Sequence, residues 1–240
     1  MDIVHRTAIV TGASRGLGEA LAERLARAGV HVVLVSRRRE PLLAVVESIR
    51  AAGGMAHALA ADIGDKDAIH PLAAAAAELV GPIELLIHNA SELGPTPLRA
   101  LLDTECEDLE RVLAVNLVGP FRLSKLIAGS MLLRRHGTIV NVTSDASVNA
   151  YPGWGAYSIS KAALDQLGRS LAAELTAHGV RVFTVDPGEM DTAMHRAALP
   201  DADPATLSRP DGVAERLVRM IGSGTVRSGV RLEAATWSAP

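Results

Sequence analysis

Cysteine is almost missing from this chain. Cys106 is the single thiol in 240 residues, so no intrachain disulfide forms, which fits a reducing compartment. Aromatic residues make up only 2%, so Ala, Val, Leu and Ile must fill the core, as in the aliphatic layers between a parallel sheet and its helices. An excess of either sign of charge is missing too. A formal net charge of −3 argues against nucleic acid or an anionic membrane as partner. The opening stretch Met1 to Val10 has no long apolar run and no small-residue cleavage site. Neither a signal peptide nor a membrane span is expected, and the cytoplasm is the default. No His/Cys/Asp cluster has metal-ligand spacing, so no metal is expected. A Gly-x-Ser-x-Gly elbow is also absent, which removes a hydrolase reading of Ser144.

What is present is an apolar content of 48%, arranged as short Val/Ile/Leu runs alternating with helical patterns. Thr7–Thr11, His31–Ser36, Met55–Ala61, Ile83–His88, Thr138–Thr143, Val180–Asp186 and Gly229–Glu233 read as strands, most of them expected to be buried on both faces. Helices are expected near Gly16–Ala28, Glu40–Ala52, Lys66–Val80, Glu107–Arg135, Ala156–His178 and Asp211–Ile221. Pro71 falls inside the third and is expected to bend it or shift its start. Repeated strand–helix units predict an α/β fold: a Rossmann-type, doubly wound parallel sheet of about seven strands with helices on both faces. No linker or repeat divides the chain, so residues 1–240 are read as one domain. The least regular stretch, residues 190–210, holds three prolines and reads as a substrate lid.

The first strand runs into Thr11-Gly12-Ala-Ser14-Arg15-Gly16-Leu17-Gly18, and a helix follows. Glycines there permit a tight turn and close approach of the backbone to a pyrophosphate, while the helix N-terminus supplies free N–H groups. NAD-binding sheets usually carry an acid at the end of the second strand, for the adenosine 2′-hydroxyl. Here Ser36 stands at that place, followed by Arg37, Arg38 and Arg39. A carboxylate would repel a 2′-phosphate, whereas Arg37, with Arg15 in reach, would grip it by charged hydrogen bonds. The competing reading is a solvated basic turn. The missing acid together with the added base favours NADP(H).

Tyr157-Ser-Ile-Ser-Lys161 opens the helix after the fifth strand, whose end carries Thr143-Ser144. Residues four apart share a helical face. An ammonium beside a phenol favours phenolate, bringing a pKa of ~10 towards neutrality for acid–base work on a carbonyl oxygen.

With these motifs in order the chain resembles the short-chain dehydrogenase/reductase family over nearly its whole length. The matching markers are Thr11-Gly-x-x-x-Gly16-x-Gly18, Asp62, Asn89-Ala90, Asn116, Ser144, Tyr157-x-x-x-Lys161, Pro187-Gly188 and Thr192. The resemblance implies an enzyme acting on a small-molecule carbonyl or alcohol. In it Tyr157 transfers the proton, and Lys161 lowers the Tyr157 pKa and binds the nicotinamide ribose. Ser144 polarises the carbonyl, and Asn116 holds a water linking Lys161 to solvent. It implies that Asp62 and neighbouring Ile63 meet the adenine, that Asn89 and Ala90 line the same region, and that Pro187, Gly188 and Thr192 fix the carboxamide end. A homodimer or homotetramer through the two long helices is implied as well. The alternative is a catalytically silent NADP(H)-binding regulator on the same fold.

Two positions depart from the family pattern. Ser91 replaces a usual glycine and narrows the crevice. His88 replaces a common asparagine and reads as a strand-end histidine with a local hydrogen bond. Asn89-Ala-Ser-x-Leu-Gly94, Gly153-Trp154, Pro187-Gly-x-x-Asp191-Thr192-x-Met194 and Ser228-Gly229 are similar to the sepiapterin-reductase-like branch. That similarity would make Glu233 an anchor for a donor-rich pterin ring; the competing reading is a solvated acid near the chain end.

Overall fold

A computed structural model of the chain describes residues 6–238. Residues 1–5, part of the stretch inspected for a leader, lie outside the described residues. All seven expected strands form, within two residues of the expected bounds at each end: β1 (Thr7–Thr11), β2 (His31–Ser36), β3 (Ala56–Ala60), β4 (Leu85–His88), β5 (Gly137–Val142), β6 (Val180–Asp186) and β7 (Arg231–Glu233). They pair in parallel in one sheet of order β3-β2-β1-β4-β5-β6-β7. The order reverses between β1 and β4, and there the loops leaving the strand ends diverge and open a crevice.

Alternation along the strands feeds two aliphatic layers. Ala8 and Val10 of β1, with Val32 and Leu34 of β2, face one side. There they pack on α1 (Gly16–Arg27), α2 (Arg39–Ala51) and α8 (Pro210–Ser223). Ile9, Val33 and Val35 face the other side, against α3 (Lys66–Val80), α5 (Gly119–Arg134) and α6 (Gly155–Leu175). Each large aliphatic side chain removed from water contributes about 1.5–3 kcal/mol, so aliphatic residues carry most of the core, with Phe183 its one fully buried phenylalanine among the described residues.

Helix ends follow local chemistry. Asp65 caps α3 by accepting from the Asp67 amide at 3.0 Å, and Gly81 leaves it at φ +79°. Pro71 neither interrupts α3 nor shifts its start, since the helix begins at Lys66 and runs unbroken to Val80. One expected helix is differently built. In place of a single regular helix from 107 to 135, α4 (Cys106–Leu113) passes through a π turn at Ala114–Val118 into α5. Gly119 ends that turn where a Cβ would overlap the Ile63 carbonyl, so the bulge lets the helix lie directly on the loop after β3. The combined run 106–134 is long and apolar enough to cross a bilayer by length and composition, but half of its most apolar window is buried within the protein. The 190–210 stretch is more ordered than its prolines suggest. It contains α7 (Ala193–Ala198), capped by Thr192, and a bridge between Met190 and Ser208.

Candidate active site

The crevice at the switch point is a cavity of about 470 Å³. Its walls gather most of the expected residues: Gly12, Ser14, Arg15, Gly16 and Leu17 from the glycine loop, Ser36 and Arg37 after β2, and Asp62 and Ile63 after β3. Asn89, Ala90, Tyr157, Lys161, Pro187 and Thr192 complete that set. Gly18, Asn116, Ser144 and Gly188 do not line it.

Gly12 has φ +68° and Gly16 φ +60°, conformations that favour glycine. A Cβ at Gly12 would stand 2.7 Å from the Ala90 Cα, and one at Gly18 would overlap the Gly12 carbonyl. Asn89 fastens the same turn by donating from Nδ2 to the Thr11 carbonyl at 2.9 Å. The start of α1 at Arg15 has no side-chain cap. Gly16 and Leu17 of its first turn line the cavity, where the N-terminal end of the helix favours an anion. This donor set and the close-packed backbone fit a pyrophosphate.

At the ribose end Ser36 is occupied by a local turn, its Oγ donating to the Arg38 carbonyl at 3.1 Å. Arg37 reaches across to Glu92, Nη1 to Oε2 at 3.3 Å. Asp62 accepts from the Gly64 amide at 2.8 Å and from Arg111 Nη2 at 2.7 Å. Arg111 and Glu92 were not visible as site residues in the sequence, because no motif links positions this far apart.

The opposite end holds Tyr157 and Lys161. Tyr157 and Lys161 share a face of α6, with Nζ 5.6 Å from the phenol ring centre. Both are buried. The expected lowering of the phenol pKa is outweighed here. Burial pushes Tyr157 up to about 12, while nearby Ser144 and Ser91 hydroxyls pull it down. Lys161 is brought down to about 8 by burial, against the opposing pull of Asp165 and Asp186, and donates to the Val142 carbonyl at 2.8 Å. Ser144 caps the turn after β5, its Oγ donating to Asp145 Oδ1 at 2.9 Å and accepting from the Ala146 amide at 3.2 Å. Ser91 Oγ and Thr143 Oγ1 are buried without a partner of hydrogen-bonding geometry, although Ser91 lies near enough to act on the phenol.

Asn116 sits in the π turn, fully buried. It clamps Glu92, accepting from its amide and donating to its carbonyl at 2.8 Å each, and donates to Ser160 Oγ at 2.9 Å. Ser160 Oγ in turn donates to the Tyr157 carbonyl at 2.6 Å. His88 meets the expectation of a local hydrogen bond, with Nε2 2.7 Å from Ser124 Oγ. Burial, aided by Lys161, holds its pKa down to about 3, so it stays neutral.

Thr192 lines the cavity and caps α7, accepting from the His195 amide at 3.2 Å. The Gly188 amide donates to Asp186 Oδ1 at 2.9 Å, which shapes the turn after β6. Arg231, unforeseen from sequence, braces the floor of the site. It donates to the Ser144 carbonyl at 3.1 Å and to Asp186 Oδ2 at 2.9 Å, with Asp165 at 3.3 Å. Glu233 does not line the cavity. Its side chain is exposed and lies 3.8 Å from Arg231, in keeping with the surface reading. Among the described residues, no group of three His, Cys, Asp or Glu gathers to hold a metal.

Comparison with known proteins decides the family, since residues 6–203 match the family described as short chain dehydrogenase. The chain belongs to the short-chain dehydrogenase/reductase family. It is 36% identical over 192 residues to a 2,3-dihydro-2,3-dihydroxybenzoate dehydrogenase of Bacillus subtilis, covering 80% of this chain and 72% of that one. Among solved structures, it is similar to a metagenomic short-chain oxidoreductase in complex with NADP, with a TM-score of 0.80 and 32% identity over 95% of this chain and 97% of that one. An NAD+-bound xylitol dehydrogenase aligns with a TM-score of 0.85 and 26% identity, over 95% of this chain and 96% of that one. This short-chain dehydrogenase therefore has the fold and general oxidoreductase role of its family, with relatives that carry either nicotinamide cofactor.

Proposed function

We propose that this short-chain dehydrogenase is an NADP(H)-dependent oxidoreductase that interconverts a small-molecule carbonyl and its alcohol, with Tyr157 as the general acid/base. The observation that carries the proposal is one cavity lined at one end by Arg37 and the uncapped start of α1, and at the other by Tyr157 and Lys161. When bound, the reduced nicotinamide supplies the hydride.

The chain's own residues do the rest. The Tyr157 phenol, protonated up to about 12, gives its proton to the carbonyl oxygen as that oxygen gains charge. The Lys161 ammonium, 5.6 Å from the ring centre, offsets part of the cost of burying the phenolate left behind. Ser144 turns its hydroxyl from Asp145 towards the substrate oxygen and polarises it. Asn116 keeps the loop after β4 and the start of α6 in register through Glu92 and Ser160. Arg37 meets the 2′-phosphate, and Ser36, with no charge, does not repel it.

The same proposal reads the chain as one catalytic domain with residues 190–210 as its lid, since Met190, Thr192 and Met194 of that stretch line the cavity. It also takes the protein to be cytoplasmic and to self-associate through α4–α5 and α6, where Phe121, Leu133 and Ile159 are exposed. Steady-state rates with NADPH and NADH, over a panel of aldehydes, ketones and quinones, test the function directly. Turnover with NADPH above that with NADH supports it; equal use of both removes the cofactor assignment.

A further inference from the structure

Arg37 already has an anionic partner. It follows β2, Glu92 follows β4, and β1 with its glycine loop lies between those strands in the sheet. The Arg37–Glu92 pair, 3.3 Å apart, therefore spans the crevice at its switch point. Glu92 is not a loosely hung surface acid. Asn116 holds both its amide and its carbonyl at 2.8 Å, which fixes where the carboxylate starts. That carboxylate also accepts from Arg111 Nε at 3.3 Å, and Arg111 is bound to Asp62 at 2.7 Å. Two guanidinium groups and two carboxylates thus balance each other where the 2′-phosphate is expected.

Resting on the reading that Arg37 meets the 2′-phosphate, we infer that Glu92 is a cofactor-specificity residue whose carboxylate competes with the 2′-phosphate for Arg37. A phosphate monoester offers more negative charge and paired acceptors to the guanidinium fork, so it displaces the carboxylate. The displacement costs the Arg37–Glu92 pair and leaves Glu92 close to a second anion. A cofactor with a 2′-hydroxyl makes no charged claim on Arg37 and meets neither cost. Glu92 therefore narrows the preference for NADP(H) that Arg37 creates.

The test is direct binding, without turnover. Dissociation constants for 2′,5′-ADP and 5′-AMP are measured in the parent protein, Glu92→Gln, Arg37→Ala and the double variant. Glutamine keeps the shape and removes the charge; Glu92→Ala is the second variant and should give the same sign. A half-exposed pair moves an equilibrium by up to about fivefold. Glu92→Gln should tighten 2′,5′-ADP by about two- to fivefold and change 5′-AMP much less. The gain should shrink at high salt and vanish in the Arg37→Ala background. No tightening, equal tightening of both nucleotides, or a gain that survives without Arg37 overturns the role of Glu92 while leaving Arg37 as the 2′-phosphate ligand. Unchanged 2′,5′-ADP binding in Arg37→Ala is a different failure, which removes the Arg37 reading and this inference together.

Discussion

Asn116 holds the backbone of Glu92 from both sides, accepting from its amide and donating to its carbonyl at 2.8 Å each. This side chain, buried in the π turn, thus ties the loop after β4 to the helix that carries Tyr157. Removing it strands the Glu92 amide and carbonyl, at about 1–3 kcal/mol for each group left unpaired, while Ser160 Oγ keeps its bond to the Tyr157 carbonyl. Asn116→Ala should lower the melting temperature by several degrees and depress turnover as well. An unchanged melting curve would show that water replaces the clamp at little cost.

On the proposed reading, cofactor choice turns on Arg37. A charged hydrogen bond contributes about 1.5–3 kcal/mol, so Arg37→Asp should cut kcat/KM for NADPH by roughly tenfold to a hundredfold and bring NADH level or ahead. The ratio of the two kcat/KM values checks this, and an unmoved ratio contradicts it.

His88 makes stability sensitive to acid. Its folded-state pKa of about 3 lies below the ordinary 6.5, so between those values the unfolded chain binds the proton and the folded one does not. The His88 contribution is complete above 6.5 and is lost as pH falls towards 3, at about 1.4 kcal/mol for each unit of separation. His88→Asn should flatten this part of the acid limb in urea unfolding followed against pH. An identical limb in both proteins would mean that other groups drive acid unfolding.

The sheet, both helical layers and most of the cavity wall were legible in the sequence. Hydrophobic runs, the glycine loop and the Tyr157–Lys161 spacing are local signals, and parallel topology follows from them. Arg111, Glu92 and Arg231 were not legible, since each acts through an ion pair to a residue distant in sequence. The π turn escaped for a related reason. Its cause is the close approach of Gly119 to Ile63, a tertiary contact that no helical periodicity reveals. The Tyr157 pKa also depends on how deeply the phenol is buried, which spacing does not report. For Glu233 the short segments left two readings open, a ring anchor and a solvated acid, and its exposed side chain beside Arg231 agrees with the second.

Lys161 sets the alkaline side of the proposed reaction. Its ammonium, with a pKa of about 8, is charged below that pH and neutral above it. The charged form is the one that stabilises phenolate, so kcat/KM for carbonyl reduction should fall as pH rises through about 8. Tyr157 stays protonated through this range and adds no limb of its own. Lys161→Arg keeps the charge and should move the limb to higher pH in a pH–rate profile. A limb that stays in place would assign it to another group.

The most direct test of Tyr157 as the acid/base is single-turnover oxidation of bound NADPH by a carbonyl substrate, comparing the parent protein with Tyr157→Phe. Phenylalanine keeps the ring against Trp154 and removes only the hydroxyl. The expected result is a fall of about a hundredfold or more in the rate, with NADPH affinity preserved. A Tyr157→Phe rate close to that of the parent would contradict the assignment and place the proton donor elsewhere.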